Sequence, residues 1–269
     1  MNAEECFTRR QIQTIKDIYA GARDSMGNPI AKGVAFGSES GWPANMIPYG
    51  GNHFMPAQMS YEVDHVDYLF YENDPGVAPG RPTDLTYPLD SRGVFPEVAW
   101  WTFNIDDVTS GKGDYMSKIL DAVDPDLDRF LVRKKGKLIL YQGWVDPNAK
   151  PEMTIDYYKD VVKTTFQGDV KVAGERIRLF MAPGMDHCGG GPGPNEWDKL
   201  APLVEWVERG RAPDNIVAVH RSDRNNERSD APVNNERKLC PYPRRAVYTG
   251  PAGGQNDPAN WVAKNFFCR

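Results

Sequence analysis

The spacing of apolar positions divides the chain into three stretches. Near the N-terminus, Ile12, Ile15, Ile18 and Tyr19 recur at helical intervals and predict a helix over 7–20. Thr8 and Gln11 make a Thr-x-x-Gln capping box at its start, and Gly21 stops it. From about 21 to 125 the chain is rich in Gly, Pro and aromatic residues and shows no sustained period, internal repeat or low-complexity tract. From 126 the pattern sharpens. Lys137-Leu-Ile-Leu-Tyr141 reads as a buried strand, followed by a loop ending at Asp146-Pro147. A helix opens near Pro151, carries Ile155, Tyr158 and Val162 on one face, and ends near Gly168. Ile177-Arg-Leu-Phe-Met181 is a second strand, and a Gly-rich loop follows it. The next helix takes Asn195 as N-cap, Trp197, Leu200, Val204 and Val207 as its apolar face, and Gly210 as its stop. Strand–loop–helix, repeated, predicts an α/β fold with a parallel sheet covered by helices. The tail, 211–269, reads as irregular, and its Arg221–Arg245 segment as a solvated surface of mixed charge.

Composition adds bounds. With 269 residues, 40% apolar, 26% charged and a net charge of -5, the chain is an ordinary folded protein without the basic excess of a nucleic-acid binder. No apolar run reaches the length of a membrane span, and Met1-Asn2-Ala3-Glu4-Glu5 is not the start of a secretory signal. Cys6, Cys188, Cys240 and Cys268 form no close Cys-x-x-Cys pair, which argues against structural zinc. Cys240 and Cys268 both lie in the tail. A bridge between them would add about 3–4 kcal/mol by loop closure, and two unpaired thiols are the alternative.

Asp146 ends the loop after the first strand, and His187 sits within the loop after the second, 41 residues later. In open parallel sheets chemistry gathers at the carboxyl ends of the strands. Serine hydrolases of the α/β type order their triad Ser, Asp, His, and these two residues fit the last two places. Taken singly, Asp146 reads as a turn residue before Pro147 and His187 as structural; their joint placement is what raises the catalytic reading. No serine has glycine two before and two after it, and Gly37-Ser-Glu-Ser-Gly41 reads as a loop. A cysteine hydrolase built on Cys188 and His187 is disfavoured, because adjacent residues seldom point productively at each other. His53, Asp64, His65 and Asp67 lack a frame that would make them a metal cluster.

Leu138-Ile-Leu-Tyr-Gln-Gly-Trp-Val-Asp-Pro147 and Leu179-Phe-Met-Ala-Pro-Gly-Met-Asp-His-Cys-Gly-Gly-Gly-Pro-Gly-Pro194 resemble the tannase and feruloyl esterase family. So do Thr154-Ile-Asp-Tyr-Tyr158, Leu203-Val-Glu-Trp-Val207, Arg211-Ala-Pro-Asp214, Leu239-Cys-Pro-Tyr-Pro243 and Ala259-Asn-Trp261. The likeness is dense over 126–268 and looser over 1–125. It implies an α/β-hydrolase core interrupted by a lid, with 1–125 as part of the lid and 126–269 as the C-terminal part of the catalytic domain. It implies a serine carboxylic ester hydrolase acting on galloyl, feruloyl and related phenolic esters. Asp146 and His187 match its catalytic Asp and His. Cys240 and Cys268 match a family disulfide, and Cys188 matches a cysteine that pairs with one beside the Ser.

In the family order the Gly-Cys-Ser-x-Gly-Gly segment, the oxyanion hole and the calcium loop of the lid belong upstream of residue 1. The expectation is therefore a fragment of a secreted or periplasmic enzyme, inactive alone, with no cofactor in this chain and with Cys188 unpaired within it. Its expected partners are a small aromatic ester and the missing N-terminal half, with neither nucleic acid nor membrane. Trp100, Trp101 and Phe103 are candidates for an aromatic substrate wall, against the blander reading of lid packing. The rival to the esterase reading is a non-catalytic remnant that keeps an aromatic pocket.

Overall fold

The computed structural model describes residues 6–43, 45–47, 56, 58, 65, 70, 103–222 and 230–269. The chain divides into two compact units, Met1–Ala122 and Val123–Arg269.

In the first unit, helix α1 (Arg9–Ala20) starts at the predicted cap. Thr8 Oγ1 accepts the Gln11 amide and Gln11 Oε1 accepts the Thr8 amide, so two of the helix's orphan donors are satisfied reciprocally. The apolar stripe is only half covered: Ile12 is exposed, while Tyr19 packs on Phe36 and Trp42 at ring-centroid distances of 4.5 and 5.3 Å. A short helix, α2 (Asp114–Leu120), has no counterpart in the sequence reading.

The second unit carries the α/β core. Strand β1 (Leu138–Gly143) runs parallel to β2 (Ile177–Ala182), in register Leu138↔Ile177 through Gly143↔Ala182. The crossover is made by α3 (Pro151–Phe166) and the short α4 (Val170–Ala173). Both faces of β2 are buried. Ile177, Leu179 and Met181 pack with Ile155, Tyr158, Val161 and Val162 of α3. Phe180 and Ala182 face the other way, onto Ile216, Ala218 and Leu239. That period of two is why a continuous apolar run serves as a strand covered on both sides. β1 is different from its expectation: Leu138, Ile139, Leu140 and Tyr141 are half-buried, and among the described residues only β2 pairs with it.

Two sequence expectations are corrected. Helix α5 (Ala201–Arg209) begins later than Asn195. Asp198 Oδ1 accepts the amides of Leu200 and Ala201, and Pro202 sits in the first turn, so the local chemistry starts the helix there. Asn195 is instead buried, donating from Nδ2 to the Gly190 carbonyl at 2.7 Å. The delayed start also changes the buried stripe. Trp206 is the buried residue, under the cationic ends of Lys137 and Arg178, while Leu200, Val204 and Val207 are exposed. Trp197 lies before the helix, edge-on to Tyr141.

The tail is likewise ordered rather than irregular. β3 (Ile216–Arg221) and β4 (Val233–Leu239) form an antiparallel pair, and β5 (Ala246–Tyr248) pairs antiparallel with β6 (Phe266–Cys268). Cys240 and Cys268 are joined by a disulfide, and Tyr242 donates its amide to the Leu179 carbonyl of β2 at 2.7 Å. The charged segment is partly engaged: Arg221 Nε donates to Glu196 Oε2 at 2.9 Å, and Arg237 is half-buried on the Phe266 ring. No helix among the described residues is long and apolar enough to cross a membrane.

Candidate active site

The parallel pairing of β1 and β2 continues past the strand ends. Trp144 donates its amide to Ala182 O at 3.0 Å, and Val145 donates to Met185 O at 3.2 Å. This zips the two loops together and carries Asp146 towards His187. Gly143 makes the approach feasible: a Cβ there would lie 2.2 Å from Met185 O and 2.6 Å from Asp186 O. The second loop folds on itself by the same device. Gly193 donates to Gly184 O at 2.9 Å, and a Cβ on Gly193 would sit 2.0 Å from Pro183 O.

His187 Nδ1 lies 3.0 Å from Asp146 Oδ2. Asp146 is 1% exposed, and its carboxylate is surrounded by donors. Oδ1 accepts the backbone amides of Asn148 and Ala149 at 2.8 and 2.9 Å. Oδ2 accepts from Gln142 Nε2 at 2.8 Å as well as from the imidazole. A buried charge is costly unless hydrogen-bonded on all sides, and here four donors converge on it. Since the carboxylate can only accept, Nδ1 carries the hydrogen and Nε2 presents its lone pair outward. The His187 side chain is half exposed, and among the described residues its ring makes no second hydrogen bond.

Two residues around this pair were not singled out from sequence. Gln142, on β1, holds Asp146 while its own Oε1 accepts Thr154 Oγ1 at 3.2 Å and its Nε2 also reaches Ala149 O at 3.0 Å. Its signal was weak: a polar residue near the end of an apolar strand, four places before the Asp. Asp186 accepts the His187 amide at 2.7 Å. Burial, reinforced by the nearby Asp146 charge, pushes the Asp186 carboxyl above its ordinary value. The folded chain therefore holds that proton more tightly than the unfolded chain. Its contribution to stability falls as pH rises from the ordinary carboxylate range through the raised value. Asp186→Asn keeps an acceptor for the His187 amide and removes the charge. The variant should unfold at higher urea than the parent at neutral pH, with the gap closing in acid.

Of the other candidates, Cys188 is an exposed free thiol with left-handed backbone (φ 54), and Cys6 is also free and exposed. Ser38 is buried: its hydroxyl donates to Ala35 O at 2.7 Å and accepts Trp42 Nε1 at 3.0 Å, which is no setting for a nucleophile. Phe103 packs edge-on to Phe70 at 5.3 Å, within the first unit. Trp100 and Trp101 lie outside the described residues, as do His53, Asp64 and Asp67. Among the described residues no group of three or more His, Cys, Asp or Glu side chains is placed to hold a metal ion, so no calcium ligand is assigned.

A parallel αβ unit with a hydrogen-bonded Asp–His pair at the carboxyl ends of adjacent strands is the architecture of an α/β esterase core. The model of the family described as tannase and feruloyl esterase matches residues 1–263, and the chain belongs to that family. An uncharacterized esterase of Xanthomonas campestris pv. campestris is 29% identical over 299 residues, covering 99% of this chain and 47% of its own length. The mono(2-hydroxyethyl) terephthalate hydrolase of Piscinibacter sakaiensis is 31% identical over 277 residues, covering 96% of this chain and 42% of its own. Among solved structures, an esterase from Aspergillus oryzae superposes with a TM-score of 0.70 at 25% identity, covering 100% of this chain and 48% of that one. Feruloyl esterase B from Aspergillus oryzae superposes at 0.67 with 23% identity, a likeness of fold, over 100% of this chain and 49% of that one. The chain spans about half the length of the curated relatives it matches.

Proposed function

We propose that this chain supplies the Asp and His of a carboxylic ester hydrolase acting on phenolic acid esters. The observation that carries the reading is the 3.0 Å contact between His187 Nδ1 and buried Asp146 Oδ2, with Nε2 unpaired among the described residues. In that role Nε2 takes the proton of a serine hydroxyl as it attacks the ester carbonyl. Asp146 stabilises the resulting imidazolium, which then protonates the departing alcohol. Water repeats the cycle on the acyl intermediate. The serine and the oxyanion hole come from residues outside this sequence. The family resemblance, the half-length coverage and the free edge of β1 among the described residues all support that arrangement. The Cys240–Cys268 disulfide supports an exported parent protein, since such bonds persist in oxidising compartments.

The reading is tested by joining this chain to an N-terminal half that bears the serine and assaying methyl ferulate and methyl gallate. Turnover that survives His187→Ala would sink it. Within that joined enzyme, Gln142 acts as a positioning residue for Asp146. Gln142→Ala should lower kcat about tenfold with little change in KM, the effect of one charge-assisted hydrogen bond. An unchanged kcat would show that the two backbone amides suffice to hold the carboxylate.

A further inference from the structure

A concavity lies in the second unit, lined by neither Asp146 nor His187. It is a cavity of about 420 Å³ between the base of the His187 loop, β4 and the C-terminal segment. Its walls are flat and apolar: Pro183, Pro192 and Pro194 on one side, and Tyr248, Trp261 and Phe266 on the other. Tyr248 and Phe266 meet edge-on at 5.7 Å, which fixes both rings. The volume falls in the range of small-molecule sites, which are mostly apolar with a few placed polar groups.

Arg237 is the charged group that distinguishes this cavity. Its guanidinium lies over the Phe266 ring at 4.9 Å. Its Nε is shut off from solvent and, among the described residues, has no hydrogen-bond acceptor. Among the described lining residues the one carboxylate is Glu236, whose Oε2 accepts the Ala263 amide at 3.1 Å. Among the described residues no carboxylate pairs with Arg237. Burial alone lowers the Arg237 pKa, as expected for a cation without a counter-charge. A half-buried guanidinium without a counter-charge is a place that favours an anion.

We propose that this cavity binds a small aromatic carboxylate. The carboxylate takes the two terminal nitrogens of Arg237, which offer it a pair of charged donors. The ring lies between the prolines and the Trp261–Phe266 wall. The site does not depend on the hydrolytic reading, because it uses neither Asp146 nor His187.

The test uses the 269-residue chain and 4-hydroxybenzoate, with 4-hydroxybenzamide as the neutral ring of the same shape and acetate as the anion without a ring. Binding is read by calorimetry and by shifts of the Arg237 side-chain and Trp261 indole resonances. The expected result is saturable binding of the benzoate, at least tenfold weaker binding of both controls, and shifts at those two residues. Arg237→Gln should weaken the benzoate at least tenfold, and His187→Ala should leave it unchanged. If Arg237→Gln fails to fold, the acid-against-amide comparison on the parent chain still decides. Equal affinity for acid and amide overturns the proposal. So does loss of binding in His187→Ala, which would place the acid beside the Asp–His pair. Absence of binding at millimolar benzoate overturns it too.

Discussion

If the proposed function holds, Asp146→Asn in the joined enzyme should lower kcat for methyl ferulate by roughly 10⁴-fold while KM changes little, on the scale known for Ser-His-Asp sites. The size follows from how the carboxylate is held. Oδ1 accepts two backbone amides, from Asn148 and Ala149, so an asparagine must place its carbonyl oxygen there. Its NH2 group then occupies the Oδ2 position, facing Gln142 Nε2 and His187 Nδ1. The imidazole can avoid a donor–donor clash only by moving its hydrogen to Nε2. In the proposed mechanism that nitrogen is the base, so the expected outcome is a variant that folds and does not turn over. The 269-residue chain assayed alone should match its own His187→Ala variant on methyl ferulate, methyl gallate and a chromogenic acetate. Two outcomes would count against the assignment. One is an Asp146→Asn enzyme within tenfold of the parent, and the other is turnover by the isolated chain that His187→Ala removes.

How far the sequence showed this site depends on which residues are asked about. The Asp146–His187 contact was legible because each residue follows a short apolar run, and two such runs joined by an amphipathic helix admit few folds. β2 met that expectation fully, with Leu179 and Phe180 buried on opposite faces. Gln142 was not legible, since its meaning lies in a reach across the loop to Asp146 that no periodicity encodes. The register of α5 was misread because Asp198 and Pro202 together start the helix after the residue that looked like a cap. The tail hid its strands for a different reason. Ile216-Val-Ala-Val219 is apolar throughout, which masks the alternation that buries Ile216 and Ala218 and leaves Val217 exposed. β4, Val233-Asn-Asn-Glu-Arg-Lys-Leu239, is polar along most of its length and is a strand by virtue of its partner.

That tail also sets the second large expectation. Replacing Cys240 and Cys268 by alanine lowers the stability of the chain by about 3–4 kcal/mol, measured by urea unfolding of the oxidised parent against the double variant. The bridged residues are 28 apart, a long loop whose closure entropy is removed from the unfolded state. The segment between them has few apolar anchors: Ala263 and Phe266 are its buried hydrophobic residues. β5 and β6 are three residues each, too short to hold the segment by pairing alone. Reduction of the parent should give the same loss, while replacing the exposed Cys6 and Cys188 should change stability by less than about 0.5 kcal/mol. The loss reaches the site through β2, because Cys240 leads into Tyr242, whose amide pairs with Leu179 O two strand positions from Met181. Amide exchange in the double variant should therefore quicken first over 241–268 and then at the β2 end that carries the His187 loop. A loss under about 1 kcal/mol would show that packing on the β3–β4 pair, rather than the covalent link, keeps the tail in place.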